Sequence, residues 1–119
     1  MYDQLKNPVE QAEEFFQTAQ EELYKPEEDV VRYMVCKSAF NAVLKYLTAY
    51  LQERSIPIGQ EETLESILEL CRKDDPKFNN LALELLYNAH EEEDVWMDMA
   101  TAQEFMDLAI ATRKMVGLG

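Results

Sequence analysis

The segment Asn88-Ala89-His90-Glu91-Glu92-Glu93-Asp94 holds the chain's single histidine, followed at once by four carboxylates. Histidine exchanges protons near neutral pH, and clustered carboxylates bind divalent cations. Upstream, Glu61-Glu62-Thr63-Leu64-Glu65 reads EExxE, while Glu91 to Asp94 contains ExxD. Glu61, Glu62, Glu65, Glu91 and Asp94, set on two facing helices, would hold Mg²⁺ ions that neutralise phosphates and activate water. Helical spacing argues against that geometry. It puts Glu62 nearly opposite the apolar face of Leu64, Ile67, Leu68 and Cys71, and Glu65 roughly 110° away from it, at about 100° per residue. Acids at a helix start also favour its dipole with no metal present, so both groups of acids read as solvated helix ends. Cys36 and His90 would make a nucleophilic pair only if the fold joined them. No Gly-rich phosphate loop, CxxC pair or HExxH is present.

The elements that must position these residues are helical. The chain has 119 residues, 47% of them apolar, with only 3 Gly and 4 Pro. That suits one domain, residues 1–119, with a real core and little turn punctuation. Acids outnumber bases 24 to 11, for a net charge of −13. Such a surface repels phosphate backbones and anionic membranes, so unaided non-specific nucleic-acid binding is not expected. No apolar run reaches the roughly 18 residues of a membrane span. The start, MYDQLKNPVEQAEE, is unlike a signal or transit peptide. Cys36 and Cys71 lie in apolar-patterned segments and read as buried reduced thiols. A cytoplasmic protein is expected.

Five helical segments follow one another. Asn7-Pro8-Val9-Glu10 forms a capping box with proline at the first helical position, and opens a helix that ends at Lys25-Pro26. The second segment, about 26 to 54, has no acid between Val30 and Gln52 and is apolar most of the way round. Such a helix is central, or meets a second chain as well as its own core. The third, about 61 to 73, stops at Asp74-Asp75-Pro76. The fourth, about 77 to 92, carries Phe78, Leu81, Ala82, Leu85 and Ala89 on one face, and Leu83, Leu86, Tyr87 and His90 on a second. The last opens on a capping box at Thr101–Glu104 and ends at Gly117. Nothing reads as a strand. The fold class is all-α, an up-and-down bundle of four to five helices.

Three stretches, SAFNAVLKYLTAYLQERSIPIG, TLESILELCRKDDPKF and the final EFMDLAIATRKMV, stand in an order that resembles the HEPN domain, a small α-helical family. AFNAVLKYL, with Lys45 inside the apolar helix, is the most family-like part. The resemblance implies a bundle that dimerises, with its dimer cleft near the fourth helix. It implies either a metal-independent ribonuclease, often a toxin paired with a nucleotidyltransferase antitoxin, or a non-catalytic partner or nucleotide-binding module. The ribonuclease members carry Arg-x4–6-His late in the fourth helix. Here the histidine would be His90, and the matching positions hold Leu83, Glu84 and Leu85. The nearest upstream arginine, Arg72, belongs to another segment. The EExxE and ExxD pair in turn resembles the MazG-type nucleoside triphosphate pyrophosphohydrolases, the one reading that requires Mg²⁺.

The expectation is therefore a non-catalytic HEPN-like intracellular binding or regulatory module without cofactor, forming a homodimer. Its dimer faces would be the excess apolar width of the second helix and the stripe of Leu83, Leu86 and Tyr87. Lys45 or Arg32 would contact a phosphate if a nucleotide binds, and His90 is the catalytic candidate under the ribonuclease alternative.

Overall fold

Asn7 accepts the Glu10 N–H (2.8 Å) and the Glu10 carboxylate accepts the Asn7 N–H (3.2 Å), closing the expected capping box. Helix α1 then runs Pro8–Leu23. The computed structural model describes residues 7–59, 62–89 and 98–118, with the backbone alone for 87–89. Among these residues all regular structure is helical. It comprises α1, α2 (Arg32–Glu53), α3 (Leu64–Asp74), α4 (Glu84–Ala89) and α5 (Met99–Met115), with short 3₁₀ turns at Glu27–Asp29 and Pro76–Asn80. The all-α bundle expected from periodicity is what the chain forms. No described helix is long and apolar enough to cross a membrane.

The α1–α2 connection is tied down by Glu22. Its carboxylate accepts the Val31 N–H (2.9 Å) and pairs with Lys25 (3.0 Å). Val31 is the α2 N-cap and offers no side-chain cap, so α2 starts only at Arg32, after a 3₁₀ turn, later than its apolar pattern suggested. From there α2 is the central helix. Val35, Ala39, Val43, Tyr46, Leu47 and Leu51 are all fully buried. Ala12 and Ala19 of α1 are also fully buried, and their small side chains let α1 approach α2 closely. Phe105, Met106 and Ala109 bring α5 against the same core. Buried Thr112 returns its hydroxyl to the Leu108 carbonyl (2.8 Å), so it adds no unpaired polar group.

Tyr46 and Arg113 both bond Glu13, and Leu23 shares a groove with Met99, so α1 runs opposite to both α2 and α5. Helices α2 and α5 therefore run in the same sense, and the chain between them must travel back along the bundle. Both ends of that return are built locally. At the α2 C-terminus, Ser55 donates to the Gln52 carbonyl and Ile56 to the Leu51 carbonyl (3.0 and 2.9 Å), the two bonds of a Schellman cap. Ser55 thus sits at φ +59°, where glycine is the usual residue. Ser55→Gly is expected to raise stability by about 0.5 kcal/mol, the left-handed strain relieved exceeding the added chain entropy, as read from a urea midpoint. Gly117 (φ +96°) fills the same position after α5, as its place in the sequence suggested.

Further boundaries differ from expectation. Asp98, not Thr101, caps α5. Its carboxylate accepts both the Thr101 N–H and hydroxyl (3.0 and 3.1 Å), so Thr101 lies inside the helix. The fourth segment is not one helix. Pro76 opens a 3₁₀ turn, Leu81 to Leu83 are non-helical, and α4 starts only at Glu84.

Candidate functional site

Of the five acids with metal-binding spacing, Glu62 and Glu65 lie among the described residues. Thr63 caps α3 with Ser66 (2.8 Å), which sets the phase of the helix and leaves Glu62 and Glu65 exposed to solvent. Glu62 and Glu65 line one shallow surface hollow with Glu69, Leu70 and Lys73, away from the core face of Leu64, Ile67, Leu68 and Cys71. Glu61, His90, Glu91 and Asp94 lie outside the described residues. Among the described residues no three His, Cys, Asp or Glu side chains are placed to hold a metal ion.

The two cations chosen for a phosphate lie far apart. Arg32 and Lys45 are thirteen positions apart on one helix, an axial rise of about 20 Å. One phosphate cannot touch both. Lys45 is half-buried on the outer side of α2. Arg32 is half-buried at the α2 start, and its Nε is enclosed without a hydrogen-bond partner. Arg72 is fully engaged. It donates to the Phe78 and Leu81 carbonyls (3.3 and 2.8 Å) and to Glu69 (2.6 Å), which holds the turn after α3 in place.

The stripe proposed from the fourth segment needs correcting. Leu83 and Leu86 are fully buried inside the chain, so neither is offered to a partner. The reason is a phase change. The 3₁₀ turn and the non-helical residues after it break the count of about 100° per residue that had separated two faces. The Tyr87 side chain lies outside the described residues. The exposed large apolar side chains among the described residues are instead Tyr24, Val31, Met34 and Leu118. Tyr24 and Val31 fall between α1 and α2, and Met34 lies in the first turn of α2.

A buried-edge polar cluster went unread in the sequence. Glu13 of α1 accepts from the Arg113 guanidinium through both oxygens (2.8 and 3.0 Å) and from the Tyr46 hydroxyl (2.5 Å). Arg113 also lies over the Phe16 ring at 5.3 Å. The Arg113 hydrogen bond holds the Glu13 carboxyl below its ordinary value, with Tyr46 adding to it against desolvation. Burial, then Glu13, pushes the Tyr46 hydroxyl upward. Three helices are joined this way, by bonds that run among the three side chains. The available signal was weak: a carboxylate on α1 with tyrosine and arginine at the matching ends of two other helices.

Cys36 and Cys71 are buried thiols, as their patterning suggested. Burial pushes both up to about 12, with Asp98 and Asp74 respectively adding to it. A thiol reagent at neutral pH is therefore expected to modify neither cysteine in the folded protein and both after denaturation, as followed by thiol titration.

Compared with known proteins, the chain matches no family model, no curated protein and no solved structure.

Proposed function

We propose that this protein is a HEPN-like helical bundle acting as a non-catalytic intracellular binding module, a homodimer that joins a partner of nucleotidyltransferase type. The observation that carries this reading is the outer stripe of α2. Met34, Lys37, Asn41, Lys45, Thr48 and Gln52 are its exposed or half-buried positions. They fall within roughly 80° of arc at about 100° per residue. None is a carboxylate, in a chain of net charge −13. Two copies repel wherever their carboxylates meet, so self-association is favoured where carboxylates are missing. Val31 and Met34, 51% and 45% exposed, place apolar surface at the start of that stripe. A nucleotide bound to this face would set its phosphate against Lys45.

Analytical ultracentrifugation tests the reading. The protein is expected to sediment as a dimer, and the exposed-face double variant Met34→Glu/Lys45→Glu as a monomer with unchanged helical circular dichroism. A monomeric parent at its highest soluble concentration overturns the homodimer. RNA cleavage without metal that is lost in His90→Ala overturns the non-catalytic reading. So does Mg²⁺-dependent pyrophosphate release that is lost in Glu62→Ala.

A further inference from the structure

A groove of about 340 Å³ runs between the end of α1 and the first three turns of α5, away from the stripe just described. It is lined by half-buried Leu23, Met99 and Ile110, by the edge of the core residue Met106, and by Tyr24, 78% exposed. The α5 residues facing it are Met99, Gln103, Met106 and Ile110. Their spacing is four, three, four, the seam that a helix presents to a second helix lying alongside it. From Met99 to Ile110 the seam is about 16 Å long, enough for three turns of a docked helix. A seam of this spacing is one against which an amphipathic helix can be laid.

The charges around the seam state what that helix must carry. Glu27 lines the groove itself. Asp107, next to Met106 in the chain, is bonded to Gln103 (3.1 Å), and exposed Glu21, next to Gln20, is bonded to Gln17 (3.0 Å). The one cation lining the groove, Lys25, is paired with Glu22. A second copy of this chain would bring like-charged rims together at a net charge of −13 each. We propose that this groove docks a basic amphipathic helix of a protein partner, its apolar residues on the Met99–Ile110 seam and its Lys or Arg side chains against Glu21, Glu27 and Asp107. This rests on the reading of the chain as a binding module, and it names the chemistry of the partner.

The test uses the full chain and a fluorescent peptide of about 14 residues, roughly four helical turns. The peptide is built of Leu and Lys, with Leu at i, i+3, i+4 and i+7. Fluorescence anisotropy is expected to show saturable binding that weakens as salt is raised. Tyr24→Ala and Glu27→Lys, both at exposed positions, are each expected to weaken it about tenfold. Asn79→Ala, exposed in the turn after α3 and outside the groove, is expected to leave it unchanged. Equal binding by both groove variants overturns the proposal. So does equal binding of a scrambled peptide of the same composition, since charge alone would then suffice, or preference for a Leu/Glu peptide. A protein that dimerises but fails these peptide tests loses the groove proposal alone. A monomer that binds the peptide loses only the homodimer.

Discussion

Phe78→Ala is expected to lower the unfolding free energy by about 3–5 kcal/mol, the range for truncating a fully buried phenylalanine. The ring is wholly covered although it stands in a 3₁₀ turn between two helices. It meets the Tyr50 ring edge-on, with centroids 4.7 Å apart, and Tyr50 in turn donates its hydroxyl to Asp74 (2.6 Å). Burial, then Asp74, pushes the Tyr50 hydroxyl to about 12, so it stays a donor throughout the physiological range. The turn cannot readily close over the space left by alanine. Its carbonyls at Phe78 and Leu81 are fixed by Arg72, and Tyr50 is fixed by Asp74 and by Arg54 stacked 4.8 Å from its ring. A site that cannot collapse falls at the costly end of the range. For a domain whose total stability is about 5–15 kcal/mol, the loss shows as a large drop in urea midpoint with little change in slope. Phe78→Leu is expected to cost under about 1.5 kcal/mol. A loss below about 1 kcal/mol for Phe78→Ala would mean that the turn rearranges and that its anchoring by Arg72 is weak.

The same turn shows where a sequence reading stops. Phe78 was recognised as a core residue, but as part of a helix, because its spacing to Leu81 and Leu85 fits both a helix and a turn followed by one. What separates the two is Arg72, whose bonds to carbonyls six and nine residues away have no local signature. Local signals served well elsewhere. The Asn7–Glu10 box, the stop at Asp74-Asp75-Pro76 and the glycine after α5 each act within a few residues and are met in the structure. The centrality of α2 was legible from its missing acids. The Thr101 box failed because Asp98 offers an equally good cap three residues earlier. The candidate surfaces were less legible than the fold. Leu83 and Leu86 carried the right residue types for an interface and proved to be core. Tyr24, at a helix end two residues before a proline, carried no periodic signal and proved to be the most exposed large apolar side chain described. Exposure depends on which helices pack beside a residue, and periodicity reports only that some face is covered.

Disconnecting Glu13 from Arg113 is expected to cost about 1–2 kcal/mol at neutral pH. Hydrogen bonds to charged groups contribute about 1.5–3 kcal/mol each. The two side chains are 37% and 30% exposed, so solvent screening reduces that. What remains is raised by geometry, since one carboxylate joins α1, α2 and α5 at once and no other group in the cluster can replace it. Arg113→Met leaves Glu13 with Tyr46 alone, while Glu13→Gln keeps one neutral acceptor oxygen and removes the charge and the second oxygen that the guanidinium uses. A double-mutant cycle between the two is expected to give a coupling of about 1 kcal/mol. The sign of the pH dependence follows from the lowered Glu13 carboxyl. A group whose folded value is depressed stabilises the fold at pH above its unfolded value, here 4.5, and that contribution is lost as pH falls through the lower folded value. Glu22 is depressed too, mainly by the Val31 N–H, so the parent alone loses stability in acid for two reasons. Glu22 is common to the parent and to Glu13→Gln, and the difference between them isolates Glu13. That difference is expected to be flat above about pH 6, where Glu13 is ionised in both states, and to shrink as acid protonates it. A gap that held constant down to pH 3 would show that Glu13 contributes as a neutral hydrogen-bonding group, with its charge adding nothing to the joint between the three helices.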